Sequence, residues 1–281
     1  MKRNILARRA ASAALAACMM FSLSAPALAA STDALLQQST AAKSAVSVLD
    51  EENGMTEEPV YDEMDLNRGS ITVYIGDDGK QYAKQGDNEA QQSGNLYITT
   101  DGGRTTNTLT IEGGTIGAKV TLYNANINAS GAAVSVSGNV ELVIEGTNTL
   151  HSGTDHAGVE KADDNGTLTI SGSGTLNAYG GESGAGIGSG SQKGCSNIVI
   201  ESGTINAHGG NWGAGIGGGQ SAAGQNITIR DGNVTAIPGR EAAGIGGGSR
   251  GDGKNITIEG GTVYAAVSYT HLRAHETSLH L

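Results

Sequence analysis

Three stretches decide the fold: LTISGSGTLNAYGGESGAGIGSG at residues 168–190, NIVIESGTINAHGGNWGAGIGGG at 197–219 and NITIRDGNVTAIPGREAAGIGGG at 226–248. A fourth, NITIEGGTVYA, restarts the pattern at 255–265. Equivalent isoleucines, Ile170, Ile200, Ile229 and Ile258, recur at 30, 29 and 29 residues. Each unit contains three short apolar pieces separated by glycine-rich corners: N-I-x-I, G-T-x-x-A and G-A-G-I-G. In the first two pieces alternate residues are apolar, the period of a strand with one buried face. No helical segment separates them.

Three strands per unit at a fixed period predict an all-β, right-handed parallel β-helix, a β-solenoid with three short strands in each rung of about 29 residues. Equivalent residues then stack as ladders. The expected core lines are Ile170, Ile200, Ile229 and Ile258; Leu176, Ile205, Val234 and Val263; Ile187, Ile216 and Ile245; and Ala178, Ala207 and Ala236. Asn197, Asn226 and Asn255 should form an internal or corner amide ladder. Glu201, Arg230 and Glu259 should alternate in sign along one edge.

Working outward, residues 151–266 are the regular rungs, and the last one stops after Tyr264 and Ala265 without its third strand, as in a chain cut short. Residues 69–150 carry weaker strands at irregular separations (ITVYI from Ile71, VTLYNANI from Val120, VELVIEG from Val140) and read as an N-terminal cap and early rungs. Residues 30–68 are acidic, with Lys43 and Arg68 as their only basic side chains, and read as a disordered spacer. Residues 1–29 have the form of a secretory signal peptide: a basic start, an apolar stretch from about Ala10 to Leu23, and Ala27-Leu28-Ala29 before the cut. That stretch is too short for a permanent membrane span, and no later segment approaches one. An extracellular protein, secreted or at the cell surface, is therefore expected.

Residues 267–281 break every preceding pattern, and VSYTHLRAHET resembles the one-frame translation of a transposase-type sequencing adapter. The segment reads as an artefact, so His271, His275 and His280 carry no metal-site reading.

Composition excludes several classes. The 281 residues include 45 Gly but only 3 Pro and no Gly-x-y period, which rules out collagen. Two Cys cannot build a disulfide scaffold, and after signal cleavage only Cys195 remains, read as a tolerated turn residue. A net charge of −11 argues against nucleic acid as a partner.

Motif chemistry is sparse. Gly213-Ala214-Gly215-Ile216-Gly217-Gly218 satisfies G-x-G-x-x-G, but a dinucleotide site needs a helix at the third glycine, and here a corner and a strand follow. Steric need is the better explanation. Asp155, Asp163 and Asp164, near His156 and Lys161, are the candidate carboxylates for lyase or hydrolase chemistry, although a solvated loop explains them more simply. Trp212, with His208 and Tyr179 at nearby corner positions, forms a candidate carbohydrate contact, since exposed aromatics stack on sugar rings. A corner residue folded over a glycine-rich turn is the simpler reading of Trp212. No catalytic residue, metal or cofactor is assigned.

The motifs GAGIGSG, GAGIGGG and AAGIGGG, with GTLNAYGG, GTINAHGG and GTVYA between them, resemble the glycine-rich right-handed β-helix repeats of large exported proteins of gut bacteria. LVIEGTNTL from Leu142 resembles the segment preceding the first such repeat. The resemblance covers about residues 140–265. It implies a pectate-lyase-like superhelix at the cell surface, adhesin-like or carbohydrate-binding, with surface glycans or host or bacterial polysaccharides as partners. No catalytic residues carry over. Catalysis by a polysaccharide lyase or hydrolase and a passive structural stalk are the rival expectations.

Overall fold

A computed structural model describes residues 62–161, 163 and 165–268. The leader at 1–29, most of the spacer and most of the 267–281 segment lie outside the described residues. Among the described residues there is no α-helix, only strands and one 3-10 turn at Leu66–Arg68. Three sheets run the length of the domain, and successive strands pass from the first to the third to the second before a new rung begins. The strand pairings that join successive rungs are parallel, apart from one isolated antiparallel bridge between Ala243 and Val267, giving the right-handed β-helix that same-hand crossovers produce.

The ladders match the expected register. Ile170, Ile200, Ile229 and Ile258 are paired rung to rung in the first sheet. Leu176, Ile205, Val234 and Val263 are paired in the third. Ile187, Ile216 and Ile245 are paired in the second. All but Ile245 and the last-rung Ile258 and Val263 are fully buried. Each buried aliphatic side chain contributes on the order of 2 kcal/mol, and stacking makes every inward face serve two rungs.

The early region is the same helix with fewer residues in each rung. Along the line Leu96, Val120, Leu142, Ile170, Ile200, Ile229 and Ile258 the separations are 24, 22, 28, 30, 29 and 29 residues. The strands keep their places and the corners lengthen. The third strand of each regular rung is shorter than the G-A-G-I-G motif suggests: only Ile187–Gly188, Ile216–Gly217 and Ile245–Gly246 are extended.

Gly188, Gly217 and Gly246 explain why glycine is needed there. Their φ values are +140°, +130° and +135°. A Cβ on Gly217 would lie 2.0 Å from the Gly246 carbonyl oxygen, and one on Gly188 would lie 1.9 Å from that of Gly217. Backbones of adjacent rungs approach too closely for any side chain.

The ordered helix begins before Gly69, which corrects the spacer boundary at 68. Asp62–Asp65 pairs in parallel with Leu96–Thr99 as the first strand of the first sheet. Leu66 is 0% exposed and enters the core from the N-terminal end. The Asp65 side chain accepts from the Asn67 N–H at 2.8 Å and ties the turn. An antiparallel excursion, Gln81–Gln85 and Gln91–Gln92, covers the edge of Ile71–Ile75. Such a cover removes an open edge from solvent.

Candidate functional site

The outer face of the third sheet is built by residues that alternate with its core ladders. Strands Thr147–His151, Thr175–Tyr179, Thr204–His208 and Asn233–Ile237 stack in strict register. Three outward columns result. The first holds Thr147, Thr175, Thr204, Asn233 and Thr262; the second Thr149, Asn177, Asn206, Thr235 and Tyr264. The third holds His151, Tyr179, His208 and Ile237.

The second column is hydrogen-bonded lengthwise. The Asn206 amide donates to Asn177 Oδ1 at 2.9 Å, and the Asn177 amide donates to Thr149 Oγ1 at 3.4 Å. In this pattern each side-chain amide retains a further N–H and acceptor capacity. In the third column the rings stack on one another. His151 and Tyr179 have centroids 4.3 Å apart with planes 4° from parallel; Tyr179 and His208 are at 4.7 Å and 18°. Burial holds the His208 imidazole below its ordinary pKa; burial and, secondarily, Arg104 do the same for His151.

This geometry joins two of the three candidate residues and changes their mode of contact. Tyr179 and His208 are strand residues one rung apart rather than corner residues. Both faces of Tyr179 are covered by imidazoles, so the column presents ring edges, and sugar stacking on the Tyr179 face is excluded. Trp212 stands apart, half-buried on the corner beyond the third sheet. Its backbone N–H donates to the Glu182 carbonyl at 3.0 Å and its carbonyl accepts from the Ser249 N–H at 2.9 Å. Among the described residues no ring contact joins it to the column. His151 went unremarked in the sequence because its rung, TNTLH, lacks the glycine-rich flank of the later ones, although its distance from Tyr179 matches the rung length.

The candidate carboxylates do not converge. Lys161 is not on a solvated loop: it is 0% exposed, at the inward position that Val136 fills one rung earlier. Its Nζ donates to the Asp163 carbonyl at 2.8 Å, Asp163 Oδ1 at 3.0 Å and the Asn165 carbonyl at 3.0 Å, tying down the loop that follows. The residue missed is Glu160, 3% exposed. Its Oε2 lies 2.8 Å from His156 Nδ1 and accepts from the Ala157 N–H at 3.1 Å, while Lys193 Nζ is 3.6 Å from Oε1. Asp155 is exposed, and Asp164 lies outside the described residues.

The remaining sequence features resolve as structure. Asn226 donates to Asn197 at 3.1 Å and Asn255 to Asn226 at 2.9 Å, an outward ladder rather than an internal one. All three asparagines have positive φ, 59°, 54° and 53°. Arg230 pairs with Glu201 and, at 3.5 Å, with Glu259. Cys195 is not in a turn but begins the strand Cys195–Ile200 and is buried. Among the described residues no group of three or more His, Cys, Asp or Glu could hold a metal ion, and no helix is long and apolar enough to cross a membrane.

The described residues thus form a parallel β-helix protein. Comparison with protein families agrees: residues 168–191, 198–220 and 227–249 each match the family model described as Beta helix repeat. No curated protein and no solved structure matches the chain.

Proposed function

We propose that this is an exported, cell-surface β-helix protein that binds glycans and does not catalyse their cleavage. The observation that carries the reading is the outer face of the third sheet, where Thr, Asn, His and Tyr side chains repeat in register over successive rungs. Each hydroxyl or amide offers a sugar hydroxyl one modest hydrogen bond, worth about 1 kcal/mol net. Rungs repeat at roughly 4.8 Å, so a polymer laid along the columns engages many such groups at once. Once one segment of the polymer is held, the next binds at high effective concentration. The signal-peptide pattern at 1–29 supports an extracellular location for this activity. A pectate-lyase-like superhelix and an adhesin-like role in gut bacteria fit the same reading through the resemblance of the GAGIGG motifs.

One observation favours a second reading, a polysaccharide lyase or hydrolase: the buried Glu160 carboxylate orients His156, whose ring remains partly exposed. A glycan array, combined with an assay for new reducing ends or unsaturated products on the bound polymers, tests the proposal. Binding without products is expected. Turnover abolished by His156→Ala would replace it with the enzymatic reading, and neither binding nor turnover would leave a passive stalk.

A further inference from the structure

The outer face of the third sheet carries no ionic side chain from Asn126 to Ala265. Its outward positions are Asn126, Asn128, and then the three columns of Thr, Asn, His, Tyr and Ile described above. Among the described residues Arg104, at the N-terminal end, is the only charged side chain aligned with any of these columns. Elsewhere on the domain charge is abundant, and some of it lies at the rims of this face. Arg230 pairs with both Glu201 and Glu259 along the corner between the first and third sheets, leaving that rim net negative. Glu182 and Arg240 are exposed on the opposite corner. Lys119 and Glu141 pair at 2.9 Å across the outer face of the first sheet.

A charged polymer docking on this face would give up water around each ionic group with no counter-charge in return. Desolvating an unpaired charge is costly, and like charge across an interface repels. The chain's net charge of −11 adds repulsion for a polyanion. The two imidazoles of the face, both held neutral by burial, supply no cation at neutral pH. A polymer bearing only hydroxyl, ether and amide groups finds donors and acceptors of its own kind at every rung.

We infer that the third-sheet face selects uncharged polysaccharides and rejects uronate-rich and sulfated ones. The inference rests on the glycan-binding reading and sharpens it.

The test compares the full chain against matched polymers in affinity electrophoresis and calorimetry: galactomannan and xyloglucan as neutral probes, polygalacturonate and chondroitin sulfate as anionic ones. A neutral probe should bind at least tenfold more tightly than either anionic one, with affinity unchanged between 50 mM and 500 mM salt. Asn206→Asp, which places one carboxylate at the centre of the face, should lower neutral-polymer affinity at least tenfold. Thr228→Asp, on the first sheet, should leave it unchanged, with both variants checked for an unaltered melting profile. Tight, salt-sensitive binding of an anionic polymer that Asn206→Asp still perturbs would overturn the inference and leave the glycan-binding reading standing. Binding of no polymer would overturn both.

Discussion

Tyr179 and His208 stand one rung apart in the third sheet with ring centroids at 4.7 Å, and His151 closes the other face of Tyr179 at 4.3 Å. The middle ring therefore supports two stacked contacts, each worth about 0.5–1.5 kcal/mol beyond area burial. Tyr179→Ala should lower unfolding free energy by roughly 1–3 kcal/mol. It should also hydrate both imidazoles and move their pKa values up toward the ordinary histidine range. Histidine titration by NMR in the variant and the parent checks both effects.

The same column sets a pH dependence. His151 and His208 have folded pKa values below their unfolded ones because burial favours the neutral ring. The unfolded chain then binds protons more readily. The stabilisation is fully present above the unfolded value, about 6.5, and is lost as pH falls through the lowered folded values. Denaturant midpoints should fall between pH 7.5 and pH 5, and less so in the His151→Gln, His208→Gln double variant. An equal slope in parent and variant would show that the carboxylates alone govern the response.

Lys161 places a charge inside the helix and spends it on three oxygens of the following loop. Lys161→Met keeps most of the volume but leaves those oxygens without their donor, a cost of roughly 1–3 kcal/mol. Hydrogen exchange should accelerate at Asn165–Thr167 before the rest of the domain is affected. Uniform acceleration would mean that the ammonium holds the whole core rather than the loop.

The outward Asn ladder separates backbone strain from side-chain bonding. Asn226 has φ 54° and bonds to Asn197 and Asn255. Asn226→Gly relieves the left-handed backbone but loses both bonds, whereas Asn226→Ala also pays the left-handed penalty of about 1–2 kcal/mol. The alanine variant should therefore be the less stable by about that amount. Arg230→Ala, which removes only exposed ion pairs, should cost less than about 1 kcal/mol.

The regular rungs were legible because each repeats the same apolar line. Ile170, Ile200 and Ile229 read as a ladder since only stacking lets a unit of this length bury them. The early rungs were harder, for Val120 and Leu142 sit 22 residues apart and share no corner motif with later rungs. Polar residues misled most. Lys161 looked solvated because nothing in the sequence shows that a loop supplies its oxygens, and the burial of Glu160 depends on distant corners closing over it. The stacking of His151, Tyr179 and His208 was half-visible: residue spacing aligns the positions, but ring orientation, which decides whether faces or edges meet a ligand, emerges only from rung-to-rung packing.

The most direct test of glycan binding by the third sheet is a hydrogen-exchange footprint with a bound neutral polymer, galactomannan or xyloglucan. Protection should concentrate on Thr147–His151, Thr175–Tyr179, Thr204–His208 and Asn233–Ile237. Protection centred on the first sheet or around His156 and Glu160, with the third sheet unchanged, would contradict it.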